Sequence, residues 1–475
     1  MTHRRRRTGA AAGAAVAALL GLPAAAAAHG LVGRADLPIP AELFGVAAAV
    51  VLVVSFLALA AGWSEPRLEP VRERPLFRVP RILDVLAGTF GVLAFGVVVY
   101  TGLAGTEMQR DNLAPTVVFV LFWVGLPFAS LLLGDVFAAL SPWRALGRAA
   151  GWVARRLGGD AMPEPIPYPD RLGRWPAVAG LVAFGIVELC WADGREPRTL
   201  AILALIHLIV QLVGQSVYGV EPWRRNADAF GGYFALFGAL APLRRRDDGT
   251  LVARVPVAGA TALRAGPAGT VALLVVAIAT TGFDGFKEGP IFSGAAPWLQ
   301  ERFVSLGASL GRGLELAFVV GYAGVIALIA AIWWVAVEGM PRVRAQITRP
   351  ELSHRLVHSL IPIVAAYVVA HYFSLLVYQG QDAVRLLSDP LGDGADLLGT
   401  AGRRIDYGVI SATGIWYVQV GALVLGHVAA LVLGHDRALG IYGSARAAAR
   451  SQVVMLVVMV CFTCLGLYLL SAANA

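Results

Sequence analysis

Two histidines lie inside an apolar stretch that is long enough to cross a lipid bilayer. The stretch "HRLVHSLIPIVAAYVVAHYFSLLVYQGQ" covers residues 354–381 and contains His358 and His371. On a helix, Tyr367, His371 and Tyr378 fall within about 60° of one another, because each residue turns the helix by about 100°. An ionisable side chain in hydrocarbon is costly, so it indicates a functional site by default.

Carboxylates and other polar side chains occur at a similar depth in other apolar segments, near the ends that we predict to face outwards. We expect His371 to share one outward-facing cavity with a set of catalytic candidates, which are Glu188, Asp284, Glu315, Tyr367, Tyr378 and Gln419. Imidazole and carboxylate ligands together suit zinc or a similar divalent ion. Water bound to such an ion is a nucleophile near neutral pH, and the tyrosines would orient a leaving group.

Two further histidines are candidate metal ligands. His207 begins a polar stripe with Gln211 and Gln215 on one predicted helix. Cleavage of the chain after Ala28 would leave His29 as a new N-terminus, and its free amine and ring could then chelate copper.

A haem is the alternative cofactor. His358 and His427 lie at comparable depths on consecutive antiparallel segments, so they could be the two axial ligands of one haem. Two stacked haems are disfavoured, because His358 and His371 are 13 residues apart and therefore about 140° out of alignment. The structural alternative for His207, His358 and His427 is a hydrogen bond to a neighbouring helix, which contributes about 0.6 kcal/mol.

The composition indicates which elements must position these residues. Of the 475 residues, 57% are hydrophobic and 15% are charged, and the mean hydropathy is +0.69. These values predict an all-α integral membrane protein. The arginine-rich, then apolar, then alanine-rich beginning predicts a signal peptide at 1–28, followed by a single polytopic domain at 29–475. Ten apolar segments are long enough to cross a bilayer: 41–63, 82–104, 116–138, 175–191, 200–218, 268–283, 314–337, 356–378, 409–433 and 453–471.

The basic residues predict the orientation of these spans. With the mature N-terminus outside, the segments predicted to lie inside carry 25 basic residues and those outside carry 10, which follows the positive-inside rule. The C-terminus is then also outside, and the expected location is the cell membrane. The net charge of +8 is thus a topology signal and not a nucleic-acid footprint. The expected partners are the lipid bilayer and a small-molecule substrate or solute.

Two connections on the inner side have the pattern of amphipathic helices lying in the membrane interface. These are "SPWRALGRAAGWVARRL" and "ADAFGGYFALFGALAP". The segments "GDVFAALSPWR" (134–144) and "GQSVYGVEPWR" (214–224) also resemble each other at an offset of 80 positions. If this similarity is an internal repeat, its two units have the same orientation and the repeat is parallel.

Several common chemistries are excluded at the level of local motifs. The sequence contains no GxxxxGK[ST], GxSxG or HExxH motif, so any active site must be assembled across helices. The three cysteines all lie in apolar stretches, so no extracellular disulfide framework is expected.

Five phrases together carry a resemblance to a known family. They are "AHGLVGRADLPIP", "YGVEPWRRNADAFGGYFALFG", "TTGFDGF", "AAYVVAHYFSLLVYQGQ" and "IWYVQVGALVLGHVAALVLGH". The chain resembles bacterial polytopic membrane proteins, frequent in actinobacteria, that are described as fenitrothion hydrolase-like. The resemblance spans most of the chain after residue 28, and it implies the shared membrane fold and hydrolysis of an organophosphate triester.

Two functions therefore remain open. One is a metal-dependent hydrolase of lipophilic esters, in which a metal-activated water attacks the phosphorus or acyl centre. The other is a transporter or permease for a small solute or a metal ion, which the ten spans and the polar stripe at His207 favour. An enzyme needs one pocket on one side, whereas a carrier needs a polar path that reaches both sides.

Overall fold

A computed structural model describes residues 41–158, 163–342 and 347–473 of the chain. The predicted signal peptide and His29 lie outside the described residues. The described part is mainly helical, in agreement with the predicted all-α class. Eight of its helical segments are long and apolar enough to cross a membrane: α1 (Ala41–Gly62), α2 (Arg81–Ala104), α3 (Leu113–Leu133), α7 (Pro197–Tyr218), α10 (Thr270–Lys287), α12 (Leu310–Glu338), α14 (Ile361–Ser388, with the turn before it) and α15 (Ala412–Tyr442).

The other helices are shorter or bent. They are α4 (Phe137–Leu140), α5 (Pro142–Gly158), α6 (Trp175–Leu189), α8 (Val220–Asn226), α9 (Ala229–Leu240), α11 (Pro290–Ser305), α13 (Arg349–Leu356), α16 (Ala445–Ser451) and α17 (Val453–Ala473). The predicted span at 175–191 corresponds to α6, which has only 15 residues. The last predicted span corresponds to α17, which meets α16 at a bend of 44°.

Prolines explain two irregular helices. Within α3, Thr116–Gly125 is π-helical, and the amide of Leu126 donates to the carbonyl of Leu121, five residues back. Pro127 follows directly and has no amide hydrogen for the regular pattern. Likewise, a 3-10 turn at Val357–Leu360 separates α13 from α14, whose second residue is Pro362.

A small antiparallel sheet is formed by two of the connections that were predicted to lie inside, and the sequence analysis did not predict it. It contains β1 (Glu73–Arg78), β3 (Thr250–Arg254) and β2 (Leu243–Arg245), with β3 in the middle. Polar, arginine-rich strands of three to six residues have no periodic hydrophobic signal. The sheet, α5 and α8 mark one end of the helical bundle, which we call the arginine-rich end.

The two predicted interfacial helices have different environments. Helix α5 carries exposed apolar side chains, including Trp152 and Leu157, beside the arginines Arg155 and Arg156, as an amphipathic helix should. Helix α9 is enclosed instead, because ten of its twelve residues are buried, and it packs against α3 and α6. The prediction of an interfacial position was therefore wrong for α9. Its aromatic side chains face protein on every side.

Helix α14 forms the centre of the core. It packs against α15, α10 and the π-helical part of α3, and the side chains from Ile361 to Val368 are all buried. The helices around it expose apolar side chains, for example Phe90 and Leu93 on α2 and Ile209 on α7. A membrane bundle needs this pattern, in which the lipid-facing surface is as apolar as the interior.

Candidate functional site

Three helices bring ionisable side chains together near the end of the bundle opposite the arginine-rich end. Oδ2 of Asp284 on α10 lies 2.9 Å from Nε2 of His371 on α14. Oδ1 of the same carboxylate lies 2.9 Å from Nζ of Lys287, one turn further along α10. The side chains of Asp284 and Lys287 are only 14% and 13% exposed. Each oxygen of this carboxylate therefore has its own nitrogen partner inside the bundle.

Glu188 completes the group that we call the charged cluster: Glu188, Asp284, Lys287 and His371. It comes from the last turn of α6 and is 6% exposed. It interacts electrostatically with Asp284 and Lys287. Its Oε2 atom is buried and has no hydrogen-bond partner among the described residues. A buried carboxylate oxygen without a partner is costly, so this atom is available to a proton or to a bound ligand.

Aromatic side chains enclose the cluster. Tyr372 packs edge-on against His371, with ring centroids 4.7 Å apart. Tyr233, from the enclosed helix α9, is 1% exposed and interacts electrostatically with Glu188. Both tyrosines are buried, so they screen the charges from lipid and raise the strength of each electrostatic contact.

Sequence reasoning missed three of these residues. Lys287 is the only lysine of the chain, and its spacing of three from Asp284 was the signal that could have identified it. Tyr372 follows His371 directly but lies on another face of an ideal helix. Tyr233 was assigned to an interfacial helix, so nothing in the sequence placed it near Glu188.

Four of the six predicted catalytic residues lie elsewhere. Glu315 accepts a hydrogen bond at 3.1 Å from the amide of Ala192, in the loop after α6. The hydroxyls of Tyr367 and Tyr378 donate to main-chain carbonyls, those of Phe462 and Ile410 respectively, both at 3.1 Å. Gln419 is buried in α15. The structure thus brings only Glu188 and Asp284 of this set to His371.

The residues do not fit the predicted haem. His358 and His427 are both 0% exposed, so no space large enough for a haem adjoins either ring. His427 also uses Nδ1 to contact the carbonyl of Leu423 on its own helix, at 2.7 Å. His427 lies on α15, and His358 lies in the 3-10 turn before α14, which packs against α15.

The described residues do not fit the predicted metal site either. In the described ranges, no group of three or more His, Cys, Asp or Glu side chains is arranged to hold a metal ion. Nε2 of His371 is occupied by Asp284, and the ammonium of Lys287 already neutralises that carboxylate. His207 packs in an aromatic pocket, with Trp143 and Phe230 at centroid distances of 4.8 and 5.2 Å. The cluster is suited to holding protons and opposite charges and not to coordinating a cation.

At the arginine-rich end, the two similar segments of the sequence meet. Arg144 of the first segment pairs with Glu221 of the second at 2.7 Å. Arg224 of the second pairs with Asp135 of the first at 3.3 Å, and with Glu221 at 3.1 Å. We call these four residues the cross-paired network. Burial alone would raise the pKa of Glu221, but Arg144 and Arg224 lower it to about 2.

Two further contacts strengthen this junction. The indole of Trp143 donates to Oδ2 of Asp228 at 2.7 Å. Burial raises the pKa of Asp228 to about 6, although this hydrogen bond opposes the rise. The indole of Trp223 donates to Oε1 of Gln211 at 2.8 Å. Both tryptophans of the repeated Pro-Trp-Arg motif therefore tie their segments to the bundle.

Comparisons with known proteins add no assignment: no protein-family model matches the chain, and no match was found among curated proteins or solved structures. The resemblance to fenitrothion hydrolase-like proteins stays a prediction from the sequence.

Proposed function

We propose that the protein is a membrane transporter that moves a small solute across the cell membrane and uses the charged cluster to bind protons during transport. The observation that carries the proposal is the arrangement of Asp284 between His371 and Lys287, beside Glu188, inside the helical bundle. Charged side chains within spans are typical of substrate and proton pathways. A carboxylate that exchanges between an imidazole, an ammonium and a proton can change its partner as the solute binds.

Buried amide side chains on α7 favour transport over chemistry confined to one pocket. Gln211 and Gln215 on α7 are buried at 3% and 4% exposure. Neither polar atom of the Gln215 side-chain amide has a hydrogen-bond partner within the described ranges. If the arginine-rich end faces the cytoplasm, the cross-paired network closes the inner side while the charged cluster lies near the outer side. Such asymmetric closure is what alternating access requires.

The interrupted helices also favour this proposal. Transporters commonly build their sites from discontinuous helices, whose irregular backbone is enclosed by protein. Here α6 is short, α9 is a buried helix of 12 residues, and α3 is π-helical beside α14. Both α6 and α9 contribute to the surroundings of Glu188.

The test is proton movement in proteoliposomes that contain a pH-sensitive dye. A panel of amino acids, sugars, carboxylates, nucleosides and divalent cations is added outside, one class at a time. We expect at least one class to change the internal pH, and we expect Asp284→Asn and His371→Gln to abolish the change. Glu301→Gln is the matched control, because Glu301 is exposed on α11 and outside the cluster. No response to any class from folded wild-type protein would contradict the proposal.

Hydrolysis of a lipophilic ester is the second candidate, and the His371–Asp284 pair is the observation that favours it. A carboxylate that orients an imidazole is the usual arrangement of a general base. In a metal-free reaction, His371 would take a proton from water through Nδ1, the hydroxide would attack phosphorus, and the aryloxide would leave. The proton would then pass from the imidazolium to solvent. Release of nitrophenolate from a nitrophenyl phosphate triester, insensitive to EDTA and lost in His371→Gln, would support this function over transport.

A further inference from the structure

A groove lined by arginines opens at the arginine-rich end, away from the charged cluster. It adjoins the cross-paired network, because its Arg148 pairs with Glu221 at 2.9 Å. Its volume is 850 Å³, and its walls come from the start of α2, the turn between β2 and β3, and α5. Four arginines line it: Arg78, Arg81, Arg148 and Arg245. We call this cavity the arginine groove.

Three acidic side chains line the groove, and two of them have close ion-pair partners. The third, Asp248, accepts a hydrogen bond from the amide of Thr250 and interacts electrostatically with Arg78. Asp84 forms a two-pronged ion pair with Arg245, and Asp247 pairs with Arg225 at 3.0 Å. By contrast, neither Arg78 nor Arg81 forms an ion pair with any residue in the described part of the chain. Among the described residues, the groove therefore presents two guanidinium groups without a close ion pair, and four arginines face three carboxylates in its lining.

Guanidinium groups bind phosphate in preference to most other anions, because their planar array of N–H donors matches two phosphate oxygens at once. Arg78 ends β1 and Arg81 begins α2, separated by only two residues. This short spacing limits how far the two side chains can move apart. An anion with several oxygens, such as a phosphodiester, could contact both.

The surface next to the groove is apolar, which distinguishes a lipid from a soluble anion. Ile82, Val85 and Leu86 follow Arg81 on α2 and are 58%, 60% and 57% exposed. Phe77 precedes Arg78 and is 60% exposed. On a membrane helix such side chains face acyl chains. The groove thus lies where the headgroups meet the hydrocarbon, with an apolar helix face leading away from it.

We propose that the arginine groove binds the phosphate headgroup of an anionic phospholipid, whose acyl chains lie along α2. Basic pockets beside membrane helices bind anionic headgroups through the same combination of charge and apolar contact. The proposal is independent of whether the protein transports or hydrolyses, because it uses none of the residues of the charged cluster.

The test is native mass spectrometry of the full chain, purified in detergent and titrated with phosphatidylglycerol or with phosphatidylcholine. We expect wild-type protein to bind phosphatidylglycerol at least about tenfold more tightly, and added salt to weaken this preference. The double variant Arg78→Gln/Arg81→Gln should lose the preference. Arg198→Gln/Arg312→Gln is the matched control, because it removes two exposed arginines at the opposite end.

Three outcomes would overturn the proposal. They are equal binding of both lipids, an unchanged preference in Arg78→Gln/Arg81→Gln, and displacement of the lipid by millimolar inorganic phosphate, which would indicate a soluble anion. The elution volume and thermal unfolding of each variant are also measured, so that a loss of lipid binding is not mistaken for misfolding. The main-chain pairing of Arg78 with Thr250 does not depend on its side chain, so glutamine should preserve the sheet.

Discussion

Replacing Lys287 by methionine removes the ammonium group from the charged cluster and keeps most of the side-chain volume. Asp284, now without its 2.9 Å partner, would retain its contact with His371. Glu188, which interacts electrostatically with Lys287, would lose that compensation as well. Breaking a buried ion pair by removing one partner costs about 3–5 kcal/mol. Because two carboxylates are affected, we expect Lys287→Met to lie at the upper end, about 5 kcal/mol.

Asp284→Asn should cost less than Lys287→Met. It leaves the ammonium of Lys287 without its carboxylate, but Glu188 is close enough to compensate part of that charge. We expect a loss at the lower end of the range, about 3 kcal/mol. The double variant Asp284→Asn/Lys287→Met removes both charges together. Neutral replacement of a whole buried pair is often harmless, so its stability should be within about 1 kcal/mol of wild type.

Denaturant unfolding in mixed micelles, followed by tryptophan fluorescence, gives the unfolding free energy of each variant. The diagnostic result is the order of destabilisation, with Lys287→Met largest, Asp284→Asn intermediate and the double variant smallest. Two results would refute the reasoning. One is a loss of unfolding free energy below about 1 kcal/mol in Lys287→Met. The other is a double variant that is as unstable as the less stable single variant, because replacing a whole buried pair should cost less than removing one partner.

Three further predictions concern the arginine-rich half of the molecule. The pKa of Glu221 is lowered from 4.5 to about 2, so the network stabilises the fold above pH 4.5 and loses that effect as the pH falls towards 2. Glu221→Gln should therefore cost about 1–2 kcal/mol at neutral pH, and its difference from wild type should shrink in unfolding measurements below pH 4.5. Gly91→Ala should destabilise by about 1–3 kcal/mol, because an added Cβ would collide with the main chain of α4, whereas Gly96→Ala on the same helix has open space and should be harmless in a thermal unfolding assay. Trp143→Phe deletes the hydrogen bond to buried Asp228 and should cost about 1–3 kcal/mol, measured by the same unfolding assay.

The positions of the long helices could be predicted because hydropathy is a local property of the chain. The predicted segment 82–104 corresponds to Arg81–Ala104, and 200–218 corresponds to Pro197–Tyr218. Helix α9 shows the limit of this reasoning. Its aromatic stripe fits lipid and protein surroundings equally well, because both are apolar. Only the packing of α9 against α3 and α6 distinguishes the two.

The sequence predicted the level of the candidate site residues along the spans, but not which side chains contact one another. Glu188, Asp284 and His371 were expected at one level, and the structure brings them together. Tyr378 shares a helix face with His371, but seven residues along a helix separate them by about 10 Å. Its hydroxyl contacts the loop before α15 instead. A shared face is therefore a weaker criterion than shared depth. The pairing of Asp284 with Lys287 was not predicted, because composition alone gave no reason to include Lys287 in the site.

The cross-paired network relates the similar segments 134–144 and 214–224 to the proposed transport cycle. Each segment supplies an arginine that pairs with an acid of the other, Arg144 with Glu221 and Arg224 with Asp135. Glu221 contacts both arginines, so the two cross-pairs are linked through one carboxylate. In the proposed cycle, two units joined in this way would move apart together, as a two-state element does. A single protonation or solute-binding event at the charged cluster could then be transmitted as one movement of the arginine-rich end, and not as independent rearrangements of its helices.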